Sequence, residues 1–207
     1  MTDARVRVVE RGYDELGPRF GEWARRIEDE PRERLTAELE RRLEPGAHVV
    51  DLGCGSGITS TRRLAERFDV LGVDVSREQL ALARANVPRA RLVRADLTEL
   101  ELPGGSADAV TAFYSLNHVP REALGPLFAR VAGWLRPGGL LLASLGAGGS
   151  PDWVGEWLGT TMFFSSWEPD ENRRLLERAG FELLVDEVAT LGEPEGEARF
   201  HWVLARR

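Results

Sequence analysis

The glycine-rich turn at residues 53–57 (GCGSG) constrains the fold more than any other feature of the chain. It directly follows residues 47–52, a short, β-branched apolar run that is typical of a strand buried on both faces. Three alternating glycines let the backbone turn tightly and approach a ligand with no Cβ in the way. Ligands of open α/β sheets bind where such strands end. The pattern therefore predicts a ligand-binding turn between the first core strand and a helix.

The spacing of these glycines is GxGxG, whereas a dinucleotide-binding turn reads GxGxxG. Position 58 is Ile, so the dinucleotide form fails by one residue. All 27 basic residues are arginine, which also excludes a lysine-containing phosphate loop and a Tyr-xxx-Lys pair. An NAD-dependent oxidoreductase remains an alternative that this pattern disfavours.

Strand and helix patterns alternate beyond the turn, which predicts a doubly wound α/β fold with a mostly parallel seven-stranded sheet. The last two strands follow each other without a helix and predict an antiparallel C-terminal hairpin at a sheet edge. The predicted strands are 47–52, 70–74, 90–95, 107–113, 140–145, 181–188 and 198–205. The predicted helices are two or three within 4–43, one starting near Pro31, then 60–67, one capped by Ser76 and Gln79, 121–135 and 170–179.

A chain of 207 residues suits one domain. We divide it into an N-terminal helical cap (1–45), a core (46–146), an irregular segment (147–168) and a C-terminal helix with its edge hairpin (169–207).

Five segments resemble, in order and spacing, the signatures of class I S-adenosylmethionine-dependent methyltransferases. They are Val49–Gly57, Leu71–Ser76, Arg94–Leu97, Ala107–Val119 and Leu135–Gly139. The resemblance covers about residues 43–144 and implies a Rossmann-like core, S-adenosylmethionine as cofactor and S-adenosylhomocysteine as product. It implies methyl transfer to a small molecule by in-line displacement. A protein of this fold that binds the cofactor without transferring methyl is the alternative.

The resemblance also implies which residues bind the cofactor. Asp74 would accept both ribose hydroxyls and Asp96 the exocyclic amine of adenine, although Asp96 could instead cap the following helix. Tyr13 resembles a tyrosine with which related enzymes close over the methionine end. The remaining predicted contacts are Asp51, Gly53, Cys54, Gly55, Gly57, Val75, Leu97 and Phe113. Because the groups that adenosine offers are donors, ionised carboxylates at two successive strand ends complement it.

The loop after the fourth strand holds the candidate catalytic residues His118 and Tyr114. His118 could take a proton from the acceptor or only shape the cofactor site. Cys54 is expected to be a small turn residue, since nothing near it in sequence would lower its pKa. His48 and His201 are expected at packing or surface positions, with His201 at the pocket rim as the alternative.

An aromatic stretch interrupts the alternation directly after the fifth predicted strand. Large rings are ordinarily core, but related enzymes insert a substrate lid at this place. We predict a lid that forms the acceptor pocket, with Trp153, Trp157, Phe163, Phe164 and Trp167 as its rings.

The formal charge of −7 disfavours nucleic acid as partner, since affinity for phosphates needs a basic surface. The single cysteine and the lack of ligand spacing predict no metal. A charged N-terminus and the absence of a long apolar run predict a cytoplasmic protein with no membrane contact, and the Arg-rich, Ala-rich composition suggests a bacterial source. The methylated atom (O, N or C) and the oligomeric state stay open.

Overall fold

The computed structural model describes residues 3–27, 30–194 and 196–207. Its strands are β1 His48–Leu52, β2 Asp69–Asp74, β3 Arg91–Arg94, β4 Ala107–Ala112, β5 Leu135–Gly146, β6 Trp153–Trp157, β7 Thr160–Phe164, β8 Glu182–Glu193 and β9 Gly196–Arg206. Its helices are α1 Ala4–Leu16, α2 Pro18–Ala24, α3 Arg32–Glu40, α4 Thr61–Leu64, α5 Arg77–Asn86, α6 Arg121–Trp134 and α7 Pro169–Arg178, with a 3₁₀ turn at Leu116–His118.

The main sheet has seven strands in the order β3-β2-β1-β4-β5-β9-β8, which confirms the predicted fold class. Strands β1 to β5 pair in parallel, with β1 between β2 and β4. Apolar side chains cover both faces of this sheet. Phe128 and Trp134 of α6 pack on one face, and Leu35, Leu39 and Trp202 pack on the other. The carboxyl ends of the parallel strands therefore meet at one edge of a buried sheet.

The C-terminal hairpin lies at the sheet edge, as predicted, but its strands are longer than the sequence indicated. β9 runs antiparallel to both β5 and β8, and its pairing with β5 stops at Gly146, which faces Phe200. The β8–β9 pairing continues beyond that point to Glu193 and Gly196. The hairpin tip therefore overhangs the carboxyl end of β5.

The segment after β5, predicted to be irregular, contains a second small sheet. β6 and β7 form an antiparallel hairpin, paired from Trp153 with Phe164 to Trp157 with Thr160. Its turn uses Leu158 and Gly159, both at positive φ. The sequence of β7 does not alternate between apolar and polar residues, because consecutive aromatic residues occupy both of its faces, and the strand was therefore not predicted.

The N-terminal helices lie over the edge where the parallel strands end. Asp14, at the end of α1, accepts a hydrogen bond from the Ser76 hydroxyl at 2.6 Å. Ser76 caps α5 as predicted, accepting the Gln79 backbone N–H at 3.1 Å. The reciprocal half of the capping box is not made, because Asp74 accepts the Ser76 N–H and the Gln79 side chain donates to the Gly17 carbonyl. Of the predicted N-terminal cap, residues 1, 2, 28 and 29 lie outside the described residues.

No helix in residues 3–27, 30–194 and 196–207 is long and apolar enough to cross a membrane.

Candidate functional site

A cavity of about 470 Å³ lies at the carboxyl ends of β1, β2 and β4, beneath the N-terminal helices. We divide its lining into two regions. The loop side consists of residues 53–56 together with Asp74 and Asp96. The aromatic side consists of Tyr13, Phe20, Trp23, Trp157 and Phe164. Two regions of such different chemistry can bind two different molecules.

The glycine turn forms one wall of the loop side. The backbone N–H groups of Gly53 and Cys54 donate to the Val73 carbonyl, at 2.7 and 3.0 Å, which ties the turn to β2. Gly55 adopts φ +54, and a Cβ built there would meet no atom closer than 3.9 Å. Glycine is therefore needed at this position for its left-handed backbone, and the bare backbone faces the cavity.

Asp74, at the end of β2, is buried yet keeps acceptor capacity. Its Oδ2 accepts the Gly55 N–H at 2.8 Å and its Oδ1 accepts the Ser76 N–H at 2.9 Å. A carboxylate has about four lone-pair sites, so each oxygen can accept one bond more. Burial raises the pKa of Asp74 to about 6, against the lowering effect of these backbone hydrogen bonds.

Asp96 follows β3, and its two carboxylate oxygens have different surroundings. Its Oδ1 accepts the backbone N–H and the hydroxyl of Thr98, at 2.8 and 2.7 Å, and so caps the turn. Its Oδ2 is buried and has no hydrogen-bond partner among the described residues. An unsatisfied carboxylate oxygen in a cavity wall is costly. It indicates a ligand that donates a hydrogen bond.

Asp51 and Gly57 do not reach the cavity. Asp51 is fully buried beneath the turn, where it accepts hydrogen bonds from the hydroxyls of Ser60, Thr61 and Thr111 at 2.7–3.0 Å. It therefore fixes the turn to α4 and β4 instead of facing a ligand. Gly57 faces α5, since a Cβ there would lie 2.7 Å from Val87 Cγ2. Both residues support the turn from behind.

Cys54, Val75, Leu97 and Phe113, which the sequence predicted as cofactor contacts, line the cavity. The Cys54 thiol is buried, and burial together with the charge of Asp74 raises its pKa. A protonated thiol is a poor nucleophile, so Cys54 contributes shape and backbone to the wall.

His118 joins three parts of the site. Its Nδ1 lies 2.8 Å from the Phe163 carbonyl oxygen, which can only accept, so Nδ1 carries the proton. Its Nε2 therefore carries no proton and accepts a hydrogen bond from the Tyr13 hydroxyl at 2.8 Å. Burial lowers the pKa of His118 to about 4. The ring is therefore neutral near pH 7, and it fastens α1 and β7 to the loop after β4.

Tyr114 lines the opposite wall with a strained backbone, at φ +57. Its hydroxyl donates to Glu30, which also binds Arg32. The guanidinium of Arg32 lies 5.8 Å from the centre of the Tyr114 ring, and the ring packs edge-on against Phe200. Burial and the charge of Glu30 raise the pKa of Tyr114. The phenol is therefore a hydrogen-bond donor and not a base.

The rings of the aromatic side pack in contact with one another. Trp157 lies within 6.5 Å, centre to centre, of Tyr13, Phe20, Trp23 and Phe164. These rings come from α1, α2 and the β6–β7 hairpin. Trp153 also lines the cavity but is 45% exposed, so it lies at the margin of the site.

Two rings of the predicted lid lie elsewhere. Phe163 is fully buried in a cluster with Val9, Leu16 and Met162, where β7 packs against α1. Trp167 packs against the main core under the Arg121 guanidinium, 4.3 Å from its ring centre. Neither ring lines the cavity.

The sequence did not predict several residues of the site. Phe20, Trp23 and Ile27 share a helical spacing that could have drawn attention to α2 and the loop after it. Nothing in the sequence pattern marked the tip of the β8–β9 hairpin, which contributes Glu193, Ala198, Arg199 and Phe200. His201 itself is buried away from the cavity and contacts Asp186 at 3.0 Å.

Groups of three or more His, Cys, Asp or Glu residues that could hold a metal ion are absent from the described part of the chain.

Comparison with known proteins identifies the core of the chain. The family model described as "Methyltransferase domain" matches residues 49–139. A trans-aconitate 2-methyltransferase from Paracidovorax citrulli is 45% identical over 125 residues, which cover 56% of this chain and 46% of that protein. The chain thus spans less than half the length of the curated relatives it matches.

Two solved structures extend the similarity to nearly the whole chain. An S-adenosylmethionine-dependent methyltransferase from Mesorhizobium loti is 26% identical with a TM-score of 0.67, covering 83% of this chain and 96% of that one. The DhpI–SAH complex is 20% identical with a TM-score of 0.71, covering 100% and 98%. At that identity the second similarity shows the fold alone.

Proposed function

We propose that the chain is a class I S-adenosylmethionine-dependent methyltransferase, because its residues 49–139 match the methyltransferase-domain family model and its fold is similar to that of the Mesorhizobium loti enzyme. On that premise we propose that it methylates a small molecule. In this proposal the loop side of the cavity binds S-adenosylmethionine and the aromatic side binds the methyl acceptor. S-adenosylhomocysteine and the methylated acceptor are the products.

The observation that carries this proposal is the pair of carboxylates beside the glycine turn. Asp74 and Asp96 follow neighbouring strands, both line the cavity, and both retain acceptor capacity. The orphaned Asp96 Oδ2 fits an adenine amine, and the two oxygens of Asp74 fit a pair of ribose hydroxyls. The open space over Gly55 lets a ligand approach the backbone. The residues present therefore suit the cofactor.

When bound, S-adenosylmethionine supplies a methyl group activated by its sulfonium. The residues of the chain bind, orient and exclude water, which is where most of the rate of such a displacement arises. His118 holds α1 and β7 over the cavity through its two ring nitrogens. Its engaged, neutral ring favours the positioning role over that of a general base.

Several features support a small acceptor. The rings of the aromatic side come from α1, α2 and the β6–β7 hairpin and line a cavity of about 470 Å³, which suits a small acceptor. The division into cap, core, lid and C-terminal hairpin stays a prediction, and we propose that the β6–β7 hairpin shares the covering of the cavity with α2 and the β8–β9 hairpin. A cytoplasmic location and a bacterial source remain predictions.

Transfer of a labelled methyl group tests the proposal. The protein is incubated with S-adenosyl-[methyl-³H]methionine and a bacterial small-molecule extract, and labelled products are separated from the cofactor. We expect label in a small molecule, and its loss in Asp74→Ala. Cofactor binding without release of label from the cofactor would instead indicate a protein of this fold that does not transfer methyl.

A further inference from the structure

Arg32 is a buried cation in the wall of the cavity that the mechanism above does not use. It begins α3, lines the cavity, and leaves 10% of its side chain exposed. Its Nη2 donates to Glu30, whereas its Nε is buried and has no hydrogen-bond partner among the described residues. A guanidinium has five N–H donors and no acceptor, and a buried N–H without an acceptor costs free energy. The unsatisfied Nε therefore indicates a ligand group that accepts hydrogen bonds.

The surroundings of Arg32 hold its guanidinium in place but leave donors unused. The guanidinium lies 5.8 Å from the ring centre of Tyr114, whose backbone N–H donates to the Ser144 hydroxyl oxygen at 2.8 Å. Glu30 is shared between the two residues, because one of its carboxylate oxygens accepts from Arg32 and the other accepts from the Tyr114 hydroxyl. Glu30 therefore anchors Arg32 to the loop after β4 without satisfying its Nε.

Positive charge occupies a small part of the cavity wall. On the loop side, the charged residues Asp74 and Asp96 are carboxylates. The arginines of the described lining are Arg32, which is buried, and Arg199, which is exposed. Burial raises the pKa of Asp51 beneath the glycine turn, and the positive charge of Arg32 opposes that increase. The positive field of Arg32 therefore extends to the glycine turn.

A carboxylate is the group that best matches a guanidinium, since it carries the opposite charge and offers two oxygens to the planar N–H donors. We propose that Arg32 is a carboxylate-binding site of the cavity, and that the carboxylate belongs to a molecule of the methyl-transfer reaction. The existence of the site does not depend on the proposed function, whereas the source of the carboxylate rests on it.

Two molecules of that reaction fit the site. The first is S-adenosylmethionine, whose amino-acid end carries a carboxylate. The strand order β3-β2-β1-β4 places Asp96, Asp74 and the glycine turn in succession, with Tyr114 after the next strand. A nucleoside with its base at Asp96 and its ribose at Asp74 therefore points its amino-acid end towards Arg32. The second is an acceptor with a carboxylate of its own, because Tyr114 and Arg32 line the same cavity as the aromatic side.

The first arm of the test compares S-adenosylhomocysteine with S-adenosyl-3-thiopropylamine, the same molecule without its carboxylate. Both are titrated by calorimetry into the parent and into Arg32→Gln. If the cofactor is the source, the parent should bind S-adenosylhomocysteine about tenfold more tightly than the amine, as one charge-assisted contact provides. Arg32→Gln should bring the two dissociation constants within about threefold of each other.

The second arm compares phenylacetate with phenylacetamide, which has a similar shape and no charge. Both are titrated into free protein and into protein saturated with S-adenosylhomocysteine. If the acceptor is the source, the saturated parent should prefer phenylacetate about tenfold, and Arg32→Gln should lose this preference while keeping that of the first arm. Absence of S-adenosylhomocysteine binding to the parent would be a failure of the proposed function, and the titration of free protein would still test Arg32.

Two further variants control for charge and for folding. Arg32→Lys keeps the positive charge and should retain part of the carboxylate preference. Arg34→Gln changes a residue of the same helix whose side chain is 61% exposed, pairs with Glu187 and lies outside the cavity, so both preferences should stay unchanged. The two ligands of a pair are compared on one variant, so a smaller folded fraction in Arg32→Gln does not alter their ratio. A parent without carboxylate preference in either pair, or an Arg32→Gln variant that loses the preference in neither pair, would overturn the proposal.

Discussion

The loop side and the aromatic side of the cavity are assembled in opposite ways. On the loop side, the glycine turn and the two carboxylates follow directly from neighbouring parallel strands, so the sheet register alone brings them together. On the aromatic side, rings of α1 and α2 contact rings of the β6–β7 hairpin, although more than a hundred residues separate the two helices from the hairpin. A local motif can specify the first region, whereas tertiary packing must specify the second.

Trp157 and Trp167 provide the largest test of this contrast. Both were predicted to be lid rings, but Trp157 lines the cavity and Trp167 packs in the core. We expect Trp167→Ala to lower the free energy of unfolding by about 3 kcal/mol and to leave affinity for S-adenosylhomocysteine unchanged. Trp157→Ala should cost less stability and slow methyl transfer. Denaturant unfolding measures the change in stability, and the rate of label transfer measures the change in turnover. Equal effects of both variants would contradict the placement of Trp157 in the cavity and Trp167 in the core.

Asp74→Ala tests the loop side. The variant removes the acceptor proposed for two ribose hydroxyls, so affinity for S-adenosylhomocysteine should fall by about 1.5–3 kcal/mol. Asp69→Ala is the matched control, since Asp69 begins the same strand but is 41% exposed in its side chain and lies outside the cavity. Calorimetric titration of both variants with S-adenosylhomocysteine measures the two affinities. An Asp74→Ala affinity equal to that of the parent would make this carboxylate a mere strand end.

The pH dependence of binding follows from the pKa of Asp74, which burial raises from 3.8 to about 6. The ionised form is the better acceptor, so affinity for S-adenosylhomocysteine should fall about tenfold between pH 7 and pH 5. The stability of the free protein moves the other way. Because the folded state binds this proton more tightly than the unfolded state, the contribution of Asp74 to stability rises as pH falls from about 6 towards 4.

Titrations of S-adenosylhomocysteine into the parent and into Asp74→Asn at several pH values distinguish the Asp74 carboxyl from other titrating groups. Asp74→Asn should bind weakly with little pH dependence. An undiminished pH profile in that variant would assign the dependence to another residue.

Substitution of Asp96 should change the affinity for S-adenosylhomocysteine least, because it removes one hydrogen bond to the ligand. Asp96→Asn keeps an oxygen for Thr98 but replaces the orphaned acceptor with a donor. We expect a loss of about 1 kcal/mol for S-adenosylhomocysteine. S-inosylhomocysteine, which carries a carbonyl in place of the amine, should bind better to the variant than to the parent. Unchanged preference between these two ligands would remove Asp96 from the adenine site.

Most residues that the sequence predicted for the loop side line the cavity, because they follow the ends of neighbouring strands, and their contact with the cofactor stays a prediction. The prediction from sequence failed at Asp51 and Gly57, which share the motif but support the turn from behind, because a motif does not say which way a side chain points. The aromatic side was predicted only in part. Glu193 and Phe200 reach the cavity because β8 and β9 extend past β5, and strand length beyond a neighbour is a property of the packed sheet and not of a local pattern.

Calorimetric titration of the protein with S-adenosylmethionine and with NADH, under the same conditions, tests the central claim most directly. The claim is that the glycine turn and the two carboxylates form an S-adenosylmethionine site, and it predicts saturable binding of S-adenosylmethionine at one site per chain and none of NADH. Saturable binding of NADH with none of S-adenosylmethionine would contradict it.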